Sequence, residues 1–169
     1  AGKIDLDKAE QEVMTAYEQG VNYYDTAYIY PGSEVALGKI LSKNGIRDKV
    51  YIATKLPHYL IKNVESMEKT FQEQLSRLQT DYIDFYLMHA MNKERWDKML
   101  EVGCVERLEQ LKAEGKIKYL GFSFHDSYEV FEEMINYRDW DFAQIQLNYM
   151  DADDQAGVRG YELAEKKGV

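Results

Sequence analysis

The chain has 169 residues, with 30 Asp and Glu against 21 Lys and Arg, a formal charge of −9 and a pI near 4.9. That balance repels a phosphate backbone, and the lysines are scattered among glutamates, so nucleic acid is excluded as an expected partner. The lone Cys104, with no CxxC pair or Cys/His cluster, excludes an internal disulfide and a structural metal and favours a cytoplasmic setting, while no apolar run approaches the ~20 residues that would cross a bilayer.

Residues 5 to 19 place Leu6, Ala9, Val13, Ala16 and Tyr17 at helical spacing, with Gly20 positioned as a left-handed stop. Val21 to Thr26 is β-rich, with Tyr23 and Tyr24, and leads into Asp25. Ser33 is placed to cap a second helix that runs through Lys43 and carries Leu37, Ile40 and Leu41. VYIATK (50 to 55) reads as a strand, and Asn63 as the cap of a helix burying Met67, Phe71, Leu75 and Leu78. YIDFYLMH (82 to 89) is the next strand. A polar stretch holding Asn92, Lys93 and Trp96 precedes a helix from Val105 to Glu114, stopped by Gly115. The remaining elements are a strand at 117 to 123, a helix from Tyr128 to Tyr137, a strand at 142 to 148 and a helix over about 154 to 167. Met91, Met99 and Met150 read as gap fillers rather than ligands.

Strict alternation of helix and strand, with two prolines and no linker, implies parallel strands joined by helical crossovers. No GxGxxG follows any strand, so the dinucleotide signature of an open Rossmann sheet is missing. The polar strand ends at Asp25, Lys55, His89, Ser123 and Gln144 would instead converge on one cavity in a barrel. The expected fold is therefore α/β, a partial (β/α)8 TIM barrel with about five parallel strands and flanking helices. A full barrel takes about 250 residues, so residues 1–169 are expected to form a single incomplete barrel, lacking its start and its C-terminal strands.

GVNYYDTAYIYPGSEVALGKIL resembles the aldo-keto reductase signature, in which a Tyr follows an Asp-Thr-Ala stretch at five positions from the Asp. YIATKL matches the lysine strand of that family and DYIDFYLMHA its histidine strand. DFYLMHAMNKERW and YLGFSFHD look like the branch that often carries a C-terminal ferredoxin-like segment. Such a segment is absent from these 169 residues, and Cys104 alone cannot hold an iron–sulfur cluster, so any cluster would need it.

The resemblance implies an NADPH- or NADH-dependent reduction of a small aldehyde or ketone, with Asp25, Tyr30, Lys55 and His89 as catalytic residues. The chemistry fits the residue types. Hydride delivery to a carbonyl carbon leaves negative charge on oxygen, which needs a proton donor within reach. Tyr30 is the candidate acid, and an ammonium from Lys55 would favour the ionised phenol, with Asp25 keeping that ammonium charged and aimed. The Tyr30 hydroxyl and the Lys55 ammonium are expected within hydrogen-bond distance. His89 would orient the carbonyl oxygen or join a proton relay.

Ser123 and Gln144, with Asn148 and Gln146 as lesser candidates, stand where the family holds the nicotinamide carboxamide, although its usual Ser-Asn pair is here Ser123-Phe124, followed by His125. His58 and Tyr59 are candidates for the substrate mouth. Two alternatives stay open: a catalytically idle module that senses nicotinamide or docks a partner, and an unrelated barrel enzyme using Lys55 as a Schiff-base amine. Oligomeric state is not legible from these residues.

Overall fold

The computed structural model describes residues 4–169. The elements run α1 (Leu6–Glu18), β1 (Tyr23–Asp25), α2 (Ser33–Lys43), β2 (Tyr51–Leu56), α3 (Val64–Leu78), β3 (Ile83–Met91), α4 (Lys93–Glu101), α5 (Cys104–Ala113), β4 (Ile117–Phe124), α6 (Tyr128–Tyr137), β5 (Phe142–Gln144) and α7 (Gly157–Lys167). Short 3₁₀ turns lie at Arg47–Lys49 and His58–Leu60. The five strands form one sheet in chain order, and every neighbouring pair is parallel. Right-handed crossovers between successive neighbours put the helices on one side, so the sheet curls about its other face as part of a (β/α)8 barrel.

Alternation along each strand sorts the side chains between these two sides. Ile52, Leu56, Tyr86, Met88, Leu120, Phe122 and Phe124 pack in one core cluster with Phe71 and Leu75 of α3, Leu108 and Leu111 of α5, and Phe131 and Met134 of α6. The phase-opposed residues line the concave side, where the Phe85 ring meets Tyr23, Tyr51, Tyr119 and Phe142 at centroid distances of 5.1, 5.9, 4.7 and 5.2 Å. Above this aromatic floor the register stacks further rows. Lys55 pairs with Leu87, Leu87 with Gly121, Gly121 with Phe142, and Ser123 with Gln144 one row higher. The chemistry-bearing side chains thus occupy the C-terminal ends of the strands, the rim of a barrel.

Two buried carboxylates fasten helices and strands together. Asp84, 1% exposed, bonds to Arg47 (2.9 Å), Lys118 (2.9 Å) and the Ile52 amide (3.0 Å), which explains an acid near the start of an apolar strand. Glu34, in the first turn of α2, is also 1% exposed and accepts from Thr54 Oγ1 (2.6 Å), Gln74 Nε2 (2.8 Å) and Arg77 Nη1 (3.1 Å). Neither carboxylate survives burial without such partners, because the charged form loses its hydration.

Several local expectations are corrected. Residues 93–101, read as a polar stretch, form α4; only Trp96 and Met99 are buried, so the apolar stripe is thin, and the Asn92 side chain caps the helix through the Arg95 amide. The strand expected over 142 to 148 stops at Gln144, whose partner Ser123 is the last residue of β4 to pair with β5, and farther on Asn148 Oδ1 accepts from the Met150 and Asp151 amides in a turn. Ser33 is the first helical residue of α2 and not its cap; its hydroxyl is engaged with Thr26 Oγ1 at 2.7 Å, and Gly32 takes the cap position at φ 77°. Asn63 does cap α3, in a reciprocal capping box with Ser66. Met91 and Met99 fill the core, but Met150 is 76% exposed. Among the described residues no helix is long and apolar enough to cross a membrane.

Candidate active site

β1 ends at Asp25, and the Thr26 amide donates to the Ala53 carbonyl at 2.8 Å, which carries the pairing one residue past the strand. Lys55, one row up on β2, reaches back to this point. Its ammonium donates to Asp25 Oδ1 at 2.5 Å and to the Thr26 carbonyl at 2.8 Å, and the residue is 3% exposed while the Asp25 side chain is 36% exposed. A buried ammonium needs such partners, and these two leave one of its three N–H donors over.

The chain from Thr26 to Ser33 then folds into two tight turns. The Tyr30 amide donates to the Ala27 carbonyl and the Ser33 amide to the Tyr30 carbonyl, both at 3.0 Å. This brings the Tyr30 ring centroid to 5.6 Å from the Lys55 ammonium and 6.4 Å from the His89 ring centroid, edge to face at 90°. Asp25, Lys55, Tyr30 and His89 therefore meet around one space. The hydrogen bond expected between the Tyr30 hydroxyl and Lys55 is not formed; the ammonium spends its two short contacts on Asp25 and Thr26. Tyr30 is 43% exposed.

Burial, followed by the charges of Lys55 and His58, lowers the His89 pKa to about 4. His58 is lowered as well, by burial and by Arg95 and Lys98. Near neutral pH, His89 is an uncharged imidazole with one N–H donor and one acceptor nitrogen. His58 and Tyr59 sit edge to face at 5.7 Å in the 3₁₀ turn after β2.

The residues expected at the nicotinamide separate into two groups. Ser123 is 5% exposed; its Oγ accepts from the Ala90 amide at 2.7 Å and keeps its own hydrogen to donate. Gln144 is its register partner on β5, is exposed, and makes no side-chain hydrogen bond among the described residues. Asn148 lies in the turn after β5, with both ends of its amide engaged by residues 150 and 151. His125 bonds Gln155 at 3.1 Å.

Two supports of the site were not read from the sequence. The Thr26 carbonyl is a second acceptor for Lys55, and Gln74 of α3 donates to the Lys55 carbonyl at 3.2 Å while its Oε1 accepts from the Tyr86 hydroxyl at 2.6 Å. A glutamine on the apolar stripe of α3 is the one signal that could have pointed to it.

The profile of the aldo/keto reductase family matches residues 1–169, the whole chain. The chain belongs to the aldo/keto reductase family. It is similar to L-galactose dehydrogenase of Arabidopsis thaliana, 32% identical over 128 residues that cover 72% of this chain and 40% of that protein. Norsolorinic acid reductase of Aspergillus flavus is 31% identical over 138 residues, covering 72% of this chain and 34% of that one. Among solved structures, the aldo-keto reductase AKR11C1 of Bacillus halodurans, in its holo form, superposes with a TM-score of 0.81 at 29% identity, covering 99% of this chain and 55% of that one. The chain thus spans less than two thirds of the length of these relatives.

A nicotinamide carboxamide needs a donor and an acceptor side by side, and the Ser123 hydroxyl and Gln144 amide supply both on adjacent strands at one level. For this aldo/keto reductase chain the donor set fits the group. No cluster of three or more His, Cys, Asp or Glu able to hold a metal exists among the described residues. Cys104 is buried, and burial pushes its thiol up to about 11.

Proposed function

We propose that the polypeptide carrying this chain reduces aldehydes or ketones with NADPH or NADH, and that Tyr30 protonates the carbonyl oxygen. One observation carries the reading: a buried ammonium, paired to Asp25, lies 5.6 Å from the Tyr30 ring centroid, with His89 6.4 Å from that ring.

When bound, the reduced nicotinamide supplies a hydride to the carbonyl carbon. Ser123 and Gln144 would hold its carboxamide. The Tyr30 hydroxyl gives its proton to the oxygen as charge develops there, and the phenolate left behind faces Lys55. Asp25 and the Thr26 carbonyl keep Lys55 aimed. His89, neutral near pH 7, contributes an N–H to the oxygen and orients it; with a pKa of about 4 it is not the cationic acid of the step, which leaves that part to Tyr30. A single unpaired cysteine and a reducing cofactor suit a cytoplasmic setting.

The same contacts argue against Lys55 as a Schiff-base amine, since they tie its nitrogen to Asp25 and to the Thr26 carbonyl and hold it back from a substrate carbon. Borohydride with a carbonyl substrate should therefore leave Lys55 unmodified. The main test mixes the complete polypeptide with NADPH or NADH and a panel of aldehydes, ketones and quinones and follows loss of the reduced cofactor. Turnover is expected, and Tyr30→Phe should lower it by about 10²–10⁴-fold with cofactor affinity unchanged. Cofactor binding without turnover would favour the sensing module, and full activity in Tyr30→Phe would remove Tyr30 from the chemistry.

A further inference from the structure

We infer that Arg95 is a positioning residue: by holding the carbonyl of Ala90 it maintains a β-bulge that turns His89 into the cavity. The inference rests on the functional reading only for its consequence in catalysis; the geometry stands apart from it.

β3 and β4 pair in step from Ile83↔Ile117 to Met88↔Phe122, and the next pair is Met91↔Phe124. Two residues, His89 and Ala90, therefore stand opposite one, Ser123. An extra residue of this kind resets the alternation of a strand. Its effect here is specific. Leu87 and His89 share the concave side, and an unbroken strand would put Met91 there too; with the bulge, Met91 is fully buried in the core cluster on the helix side. A histidine in the cavity and a methionine in the core, two residues apart, are compatible only if the strand is interrupted between them.

The interruption needs holding. Ala90 adopts φ 53°, one of only three non-glycine residues with positive φ among the described residues, in the left-handed region where the Cβ of an alanine crowds its own backbone. Its amide and carbonyl have also left the regular ladder. The amide donates to Ser123 Oγ at 2.7 Å, and the carbonyl accepts from Arg95 Nη1 at 2.5 Å. Arg95 is placed for this by its own segment, since its backbone amide donates to Asn92 Oδ1 at the start of α4. Ser123 and Arg95 thus grip the residue next to His89 from both sides. No carboxylate of the described residues pairs with Arg95, so the side chain has no competing ion pair to serve.

Histidine NMR reads the device directly once the His89 resonance is assigned by its loss in His89→Gln. The groups facing His89 are Lys55 of β2, His58 after β2, Asp25 of β1 and His125 after β4; Arg95 is not among them and acts on His58. Arg95→Met should leave His58 easier to protonate, and added charge there can only lower His89. A rise of His89 from about 4 toward the free-imidazole value near 6.5 therefore reports a ring that has moved out, not a charge removed.

The experiment compares the complete polypeptide with Arg95→Met and Arg95→Lys. Arg95→Met is expected to raise the His89 pKa by at least about one unit and to lower kcat by about 10–100-fold with the KM for the nicotinamide cofactor unchanged. Arg95→Lys, which keeps a donor, should recover part of both. Should the methionine variant not fold, Arg95→Gln, whose amide falls short of the carbonyl, supplies the same comparison. A His89 titration unchanged in the methionine or glutamine variant overturns the inference. If the wild type reduces no carbonyl compound, the functional reading fails, while the titration still decides the role of Arg95.

Discussion

Replacing His89 by glutamine should flatten the acid limb of the stability curve. In the folded chain the imidazole has its pKa lowered to about 4 from an ordinary value of 6.5, so as pH falls the unfolded chain takes up the proton first. Stability is therefore whole above about pH 6.5 and is lost progressively down to about pH 4. The full difference would correspond to at most about 3 kcal/mol, and because the ring is only half-buried, screening reduces this to about 1.5–2 kcal/mol. Urea unfolding followed by circular dichroism at a series of pH values measures it, and with a slope of about 1–3 kcal/mol/M the midpoint should fall by roughly 1 M between pH 7 and pH 4.5 in the wild type. His58, also lowered, is coupled to His89 through its charge, so the comparison is made in a His58→Gln background, where the difference between the two proteins isolates His89. If His89→Gln loses stability with acid as steeply as the protein that keeps His89, the neutral, half-buried imidazole on which both its orienting role and its NMR signature depend is wrong.

Glu34→Ala should cost about 3–5 kcal/mol, since it strands Thr54, Gln74 and the Arg77 guanidinium around an empty buried site, whereas Glu34→Gln keeps the acceptor shape and should cost less than half as much; equal costs, read from urea midpoints, would show that the charge lost in both variants, and not the acceptor shape, is what holds the site. Gly38→Ala should destabilise by about 1–3 kcal/mol, because a Cβ there would press on the backbone of Arg77 and Leu78, 2.6 Å from the Leu78 carbonyl carbon, and force α2 away from α3; an unchanged thermal midpoint would refute that contact.

The chemistry of the rim and the alternation of elements were legible in the residues because both are local signals. Apolar periodicity marks helices and strands without reference to the rest of the chain, and Asp25, Lys55, His89 and Ser123 stand out as polar groups ending apolar strands. Asn63, Gly20 and Gly115 likewise announce helix ends through preferences of their own backbone and side chains. α4 escaped notice because two buried residues are too few to draw a stripe, and the end of β5 because it is set by where pairing with β4 stops, at Ser123↔Gln144, and not by the β-rich composition that follows.

What only the tertiary structure decided involves partners far apart along the chain. Asp84 reads as a flaw in a strand until Arg47 and Lys118 close on it, and Glu34 as an ordinary first-turn acid until Thr54, Gln74 and Arg77 surround it. The bulge at His89 and Ala90 is invisible in sequence for the same reason: a strand's phase is set by the strand beside it, and Ala90 accepts a left-handed backbone only because Ser123 and Arg95 satisfy both of its polar groups. Sequence alone determined which chemical groups reach the rim; pairing across the sheet determined which way each of them points.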